Sequence, residues 1–180
     1  MTLEDELLDK LLEVINLKKL DLYNTNISEL SKLKGLNLEY LNLDCTKVSD
    51  ISALEGMPLR ELHLLATSVS DISYLRGMPL QVLNLDCTNV SDISALEGMP
   101  LKRLQLYNTK ITDIFPLSGM PLENLDINSN NIYDISPLEG MSFKKLNISY
   151  TKIENLSYLE KIKAEELIME GLNLDNLKAF

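Results

Sequence analysis

The sequence predicts an α/β fold, a right-handed solenoid with a parallel β-sheet on its concave face and short 3-10 or turn elements on its convex face. Three observations lead there. The chain repeats every 21 residues from Leu17 to Lys163 in seven full units, and an eighth, Ala164 to Phe180, stops four residues short. Two units read LEYLNLDCTKVSDISALEGMP (38–58) and LQVLNLDCTNVSDISALEGMP (80–100). Within each unit the third to eighth residues alternate polar and apolar, the period of a strand buried on one face. Each full unit also has a glycine-bearing turn where the chain must reverse, except the seventh. One strand per unit cannot pair with itself, so successive units must stack into a parallel sheet, and parallel crossovers are right-handed.

Numbering the slots of a unit from Leu17 makes the constraints visible. Slot 4 is leucine in all eight units, from Leu20 to Leu167. Slot 6 is leucine from Leu22 to Leu106, then Ile127, Ile148 and Met169. Slots 1, 11, 14 and 17 are apolar throughout. The stretch L-x-x-L-x-L-x-x-T-x-I/V resembles the leucine-rich-repeat family, whose common form has Asn or Cys where this chain has Thr. Resemblance covers residues 17–180, and the short unit looks like the bacterial, internalin-like branch. It implies a non-catalytic module that binds protein.

Element by element, residues 1–16 are expected to form an N-terminal capping helix. Thr2 stands at its cap, and Leu3, Leu7, Leu8, Leu11, Leu12 and Ile15 fall near one stripe. Residues 17–163 form the seven full repeats. On each return limb an aspartate (Asp50, Asp71, Asp92, Asp113, Asp134) precedes an apolar i, i+3 pair and is expected to accept backbone N–H groups at a single helical turn. The glycines from Gly35 to Gly140 end that turn, with positive φ expected. Pro58, Pro79, Pro100 and Pro121 return the chain to the next strand. The thin convex side predicts a shallow arc, because full helices are about 10 Å wide against a strand spacing of about 4.8 Å. Residues 164–180 form a C-terminal end made acidic by Glu165, Glu166 and Glu170, which discourages edge pairing.

Slot 9 holds Thr25, Thr46, Thr67, Thr88, Thr109, Asn130 and Thr151, then Leu172. The resemblance implies that this side chain bonds backbone where the chain leaves the sheet, and Thr offers one donor where an amide offers two. A row of nucleophiles is the weaker reading, since no base recurs beside the hydroxyls.

Composition narrows the function. Of 180 residues 45% are hydrophobic and 24% charged, as in ordinary folded proteins. The net charge of -10 repels a phosphate backbone, so no nucleic-acid partner is expected. No apolar run reaches the eighteen residues of a membrane span, and no membrane partner is expected. The acidic start lacks the basic-then-apolar pattern of a secretory signal, so the expected location is cytoplasmic. Two cysteines and one histidine fall short of the four ligands of a structural zinc site, so neither metal nor cofactor is expected.

That leaves the concave face, onto which slots 3, 5, 7 and 8 are expected to point. Its apolar, aromatic and basic exceptions gather in the first five units: Tyr23, Tyr40, His63, Leu65, Val82, Arg103 and Tyr107. Tyrosine and arginine are the residue types that most often anchor interfaces, so these seven are the candidate partner-binding residues. The plainer alternative is scattered surface apolar residues without a role. Cys45 and Cys87, two units apart in slot 8, lie about 9.6 Å apart by strand spacing and are expected to be free thiols. No acidic residue to orient His63 for thiol chemistry is evident in the sequence, and no enzymatic activity is expected. Two other readings stay open: an architectural or sensor module of a larger protein, or a fragment of a secreted, internalin-like adhesin. As an assembly the chain is expected to be a monomer or a weak dimer through its C-terminal end.

Overall fold

A computed structural model describes residues 16–172. It contains one eight-stranded parallel sheet whose spatial order is its sequence order. The strands are β1 (Lys19–Asp21), β2 (Tyr40–Asn42), β3 (Glu61–His63), β4 (Val82–Asn84), β5 (Arg103–Gln105), β6 (Asn124–Asp126), β7 (Ser142–Asn147) and β8 (Lys163–Ile168). Pairing is in register with the repeat, so Leu41 faces Leu62, which faces Leu83, which faces Leu104. A 3-10 turn follows each of the first seven strands, beginning with Ser31–Leu33 and ending with Leu156–Lys161. The expected α/β solenoid is therefore present. The capping helix lies outside the described residues apart from Asn16, as do the last eight residues of the C-terminal end.

The core is the stacked apolar slots. In the second to sixth units slots 1, 4, 6, 11, 14 and 17 are all buried, with the slot-20 methionines beside them. At the two ends cover is thinner: Leu20 is partly buried and Leu167 is 39% exposed.

The strands are shorter than the alternating pattern predicts. Six of the eight span slots 3 to 5 alone. Inter-turn hydrogen bonds nevertheless continue to slot 8, as in Leu43 N–H to the His63 carbonyl (2.9 Å) and Cys45 N–H to the Leu65 carbonyl (2.8 Å). The two six-residue strands both begin at a slot-21 residue that is not Pro. Slot 21 is Pro in four units, and proline has no N–H to give a ladder. Ser142 and Lys163 are successive slot-21 residues without Pro, and there pairing starts at Ser142 opposite Lys163.

Slot 8 corrects the sequence reading. Its residues are not strand residues on the open face but turn residues with left-handed backbone: Asn24, Cys45, Ala66, Cys87, Asn108, Ser129 and Tyr150 have φ between 51° and 59°. Slot-9 N–H groups of Thr25, Thr46, Thr67 and Thr88 bond back to the slot-6 carbonyls. A single positive φ just before such a bond is what a type II turn requires.

The convex limb is close to expectation. Each of Asp50, Asp71, Asp92, Asp113 and Asp134 accepts, at 2.8 Å, the N–H two residues ahead. The residue at the cap position itself is the intervening apolar one, such as Ile51. The glycines from Gly35 to Gly140 have φ of 68–82°, as expected. Along the flank the charges of slot 2 pair between units: Lys18 with Glu39 at 3.2 Å, and Glu123 with Lys144 at 2.6 Å and Lys102 at 3.5 Å. These pairs are exposed and contribute little individually.

Candidate protein-interaction face

The concave face is built on slots 3, 5 and 7, and two of these columns do backbone work first. In five units slot 5 is Asp or Asn, and its side-chain oxygen accepts the slot-7 N–H of the same unit. Asp21 bonds Tyr23, Asn42 bonds Asp44, Asn84 bonds Asp86, Asp126 bonds Asn128 and Asn147 bonds Ser149, at 2.8–3.1 Å. These are Asx turns, so slot 5 is less free to vary than the sequence implies.

Three units lack that side chain, having His63, Gln105 and Ile168 in slot 5. In each, the slot-7 residue of the preceding unit supplies the acceptor instead. Asp44 Oδ1 accepts the Leu65 N–H at 2.6 Å, Asp86 Oδ1 accepts the Tyr107 N–H at 2.7 Å, and Ser149 Oγ accepts the Glu170 N–H at 2.9 Å. The two aspartates that flank Leu65 in sequence thus hold backbone amides. Asp44→Ala should destabilise by about 1–2 kcal/mol, the cost of an unsatisfied amide. In a His63→Asn background, where an Asx turn can form, the same change should cost about zero. A denaturant double-mutant cycle measures the coupling, and equal costs in both backgrounds would refute the compensation.

Both aspartates titrate high. Burial raises the Asp86 carboxyl to about 6; the Tyr107 N–H opposes the shift, and the carboxylates of Asp126 and Asp44 add to it. Burial likewise raises Asp44, against the Leu65 N–H and His63. A carboxyl whose folded pKa exceeds its unfolded value opposes folding when ionised. Its cost is full above about pH 6 and disappears as pH falls through about 6 towards 4. Asp86→Asn keeps the acceptor and removes the charge. It should stabilise the protein at pH 7.5 and leave stability near pH 4 unchanged in thermal melts; a destabilising effect at pH 7.5 would contradict this.

The candidate partner-binding residues fall into place around these locks. Tyr40 and His63 are in contact, with ring centroids 5.7 Å apart and planes tilted by 49°. Leu65 follows on the same strand face as His63, and Val82 stands one strand beyond Glu61. Tyr40, His63, Leu65 and Val82 are each half-buried, whereas Arg103, Tyr23 and Tyr107 are exposed. Tyr23 and Tyr107 stand four strands apart, about 19 Å, so they mark the margins of the patch rather than one cluster.

One sequence inference fails here. His63 does have an acidic partner, Glu61, whose Oε1 lies 2.8 Å from Nε2. The pair is i, i+2 on a strand, hence on one face, and was legible as such. Cys45 and Cys87 are free thiols, as expected. Cys87 Sγ accepts from the Asn108 amide at 3.8 Å. The slot-9 hydroxyls are also committed: Thr25, Thr46, Thr67, Thr88 and Thr151 donate to the slot-6 carbonyl of their own turn at 2.7–2.8 Å.

Beyond the aromatic patch lies a depression of about 230 Å³, lined by Arg103, Gln105, Asn124, Asp126, Lys145 and Asn147 over Leu104 and Leu125. Apart from Arg103 these residues were missed. Their signal was the polar slot-3 run from Arg103 to Lys145, beside the amides and carboxylate of slot 5. Also missed were Phe115 (68% exposed) and Tyr133 (56% exposed), off the concave face, which replace the Ser usual in their slots.

Comparison with known proteins agrees with this architecture. The family model described as Leucine Rich repeats (2 copies) matches residues 15–56. The crystal structure of internalin C2 from Listeria monocytogenes is 29% identical, with a TM-score of 0.80 over 86% of this chain and 71% of that one. Internalin InlF from the same species is 24% identical, with a TM-score of 0.62 over 91% of this chain and 58% of its own. The functional domain of InlJ, which includes a cysteine ladder, is 20% identical with a TM-score of 0.53, over 93% and 52%. The chain thus spans under two thirds of the latter two. None of the curated proteins compared matches it in sequence. Period and sheet are those of a leucine-rich-repeat solenoid, and the matches make the chain similar to internalins. Domains of this kind are typically protein-interaction modules rather than enzymes.

Proposed function

We propose that this chain binds a protein partner through its concave sheet, with the contact centred on Tyr40, His63, Leu65 and Val82. The observation that carries it is the half-exposed aromatic and aliphatic patch, anchored by the Tyr40–His63 ring contact. The patch sits on strands whose slot-7 amides are already satisfied by Asx turns or by Asp44 and Asp86. A surface fixed in this way loses little freedom on association. Its centre is apolar and its surroundings, Asp44, Glu61 and Asp86, are charged, the core-and-rim layout of a specific interface. Tyr23, Arg103 and Tyr107 extend the contact at its margins. The partner is a protein, and no catalysis is involved.

The test is capture of partner from a lysate of the source cells on the immobilised chain, run beside Leu65→Glu. A protein held by the wild type and lost by the variant, with circular dichroism and melting unchanged, supports the reading. Equal capture by both would sink it.

A further inference from the structure

The depression over β5 to β7 differs in chemistry from the patch beside it. Lys145 at one side is held by Glu166 at 2.9 Å. Both oxygens of Asp126 are engaged, by the Asn128 N–H at 2.9 Å and the Asn147 amide at 3.0 Å. Gln105 donates to Asp86 at 3.3 Å. Among the described residues the Arg103 guanidinium and the Asn124 side chain have no hydrogen-bond or ion-pair partner. They stand directly opposite each other on β5 and β6. An exposed guanidinium beside an amide, on a chain of net charge -10, is therefore a local site for negative charge.

Resting on the concave-face reading above, we infer that this depression takes a carboxylate side chain, Asp or Glu, from the bound protein segment. The guanidinium fork matches a planar carboxylate with two parallel N–H···O bonds, and Asn124 adds a donor. One unpaired arginine beside the Asp126 side chain suits a singly charged group better than a doubly charged phosphoryl. The acidic residues around the aromatic patch add direction. Asp44, Glu61 and Asp86 repel a carboxylate placed over β2 to β4 and leave the β5–β6 depression as its favourable position.

Geometry also sets the spacing. An apolar anchor between Leu65 and Val82 lies about two strands, roughly 10 Å, from the middle of the Arg103–Asn124 pair. A segment crossing the strands in extended form advances about 3.3 Å per residue. The acid therefore falls three residues from the apolar or aromatic anchor.

The experiment is selection of displayed random twelve-residue peptides on the immobilised wild-type chain, Arg103→Glu and Leu65→Glu. Wild-type selection should enrich Asp or Glu three residues from an apolar or aromatic residue. Arg103→Glu should move the preference at that position to Lys or Arg, and Leu65→Glu should recover none of these peptides. In fluorescence anisotropy, changing the selected acid to its amide should weaken wild-type binding at least tenfold and leave Arg103→Glu binding unaffected. Peptides lost on Leu65→Glu but showing no acidic preference would overturn this inference and keep the concave-face reading. Peptides indifferent to Leu65→Glu would overturn both, and recovery of no peptide on the wild type would overturn the carboxylate site.

Discussion

Asn130→Ala should destabilise the protein by about 3 kcal/mol, against about 1 kcal/mol for Thr88→Val in the same slot. The difference lies in how many groups each side chain serves. Thr88 donates one hydrogen bond, to the Leu85 carbonyl within its own turn. Asn130 is buried, and its amide nitrogen reaches the Leu106 carbonyl of the preceding turn as well as those of Ile127 and Asn128, at 2.7, 3.0 and 3.2 Å. Its oxygen accepts both the N–H and the hydroxyl of Thr109, at 3.0 and 2.9 Å. Thr109 has given up the back-bond that Thr25 to Thr88 make, so its N–H is stranded when Asn130 is truncated. Part of the loss is recoverable, because the Thr109 hydroxyl already lies 3.3 Å from the Leu106 carbonyl. Asn130→Thr should therefore fall between the other two variants. For a chain of this size about 3 kcal/mol corresponds to a melting temperature lower by roughly 6–12 °C. Equal effects for Asn130→Ala and Thr88→Val would contradict the inter-turn role.

Leu65→Glu should weaken partner binding at least a hundredfold, about 3 kcal/mol, while leaving the fold intact. Truncating a central apolar anchor costs about 2 kcal/mol or more at an interface hot spot. A glutamate there adds a charge that the complex must desolvate, beside Asp44 and Glu61. The backbone need not respond, because the Leu65 N–H remains bonded to Asp44 whatever the side chain. Loss of affinity with an unchanged melting temperature separates a binding role from a structural one. Leu65→Gln, which removes the contact without the charge, should show the smaller part of the loss.

The repeat made the solenoid legible because the leucine slots recur at constant spacing, and from the second to the sixth unit burial follows them residue by residue. What the pattern could not give was hydrogen-bond bookkeeping. Alternation through slot 8 reads as a six-residue strand, yet Cys45 and Ala66 take left-handed backbone that their side chains do not advertise. Slot 5 reads as a free surface column, although its Asp and Asn residues close Asx turns. The substitution of His63 and Gln105 in that column is matched one unit earlier by Asp44 and Asp86. This correlation is visible in the sequence once the geometry says what to look for. The aromatic patch was legible because its residue types stand out against polar neighbours. The depression over β5 to β7 was not, since it arises from which side chains are already engaged, and spacing alone does not show that.

The central claim is that the concave sheet, and no other surface, carries the partner. The most direct measurement compares the affinity of the captured partner for wild type, Leu65→Glu and Phe115→Glu. Phe115 is the most exposed large apolar side chain among the described residues and lies off the concave face. Binding lost in Leu65→Glu and retained in Phe115→Glu is the predicted result. Binding retained in Leu65→Glu and lost in Phe115→Glu would contradict the account and place the interface on the convex side.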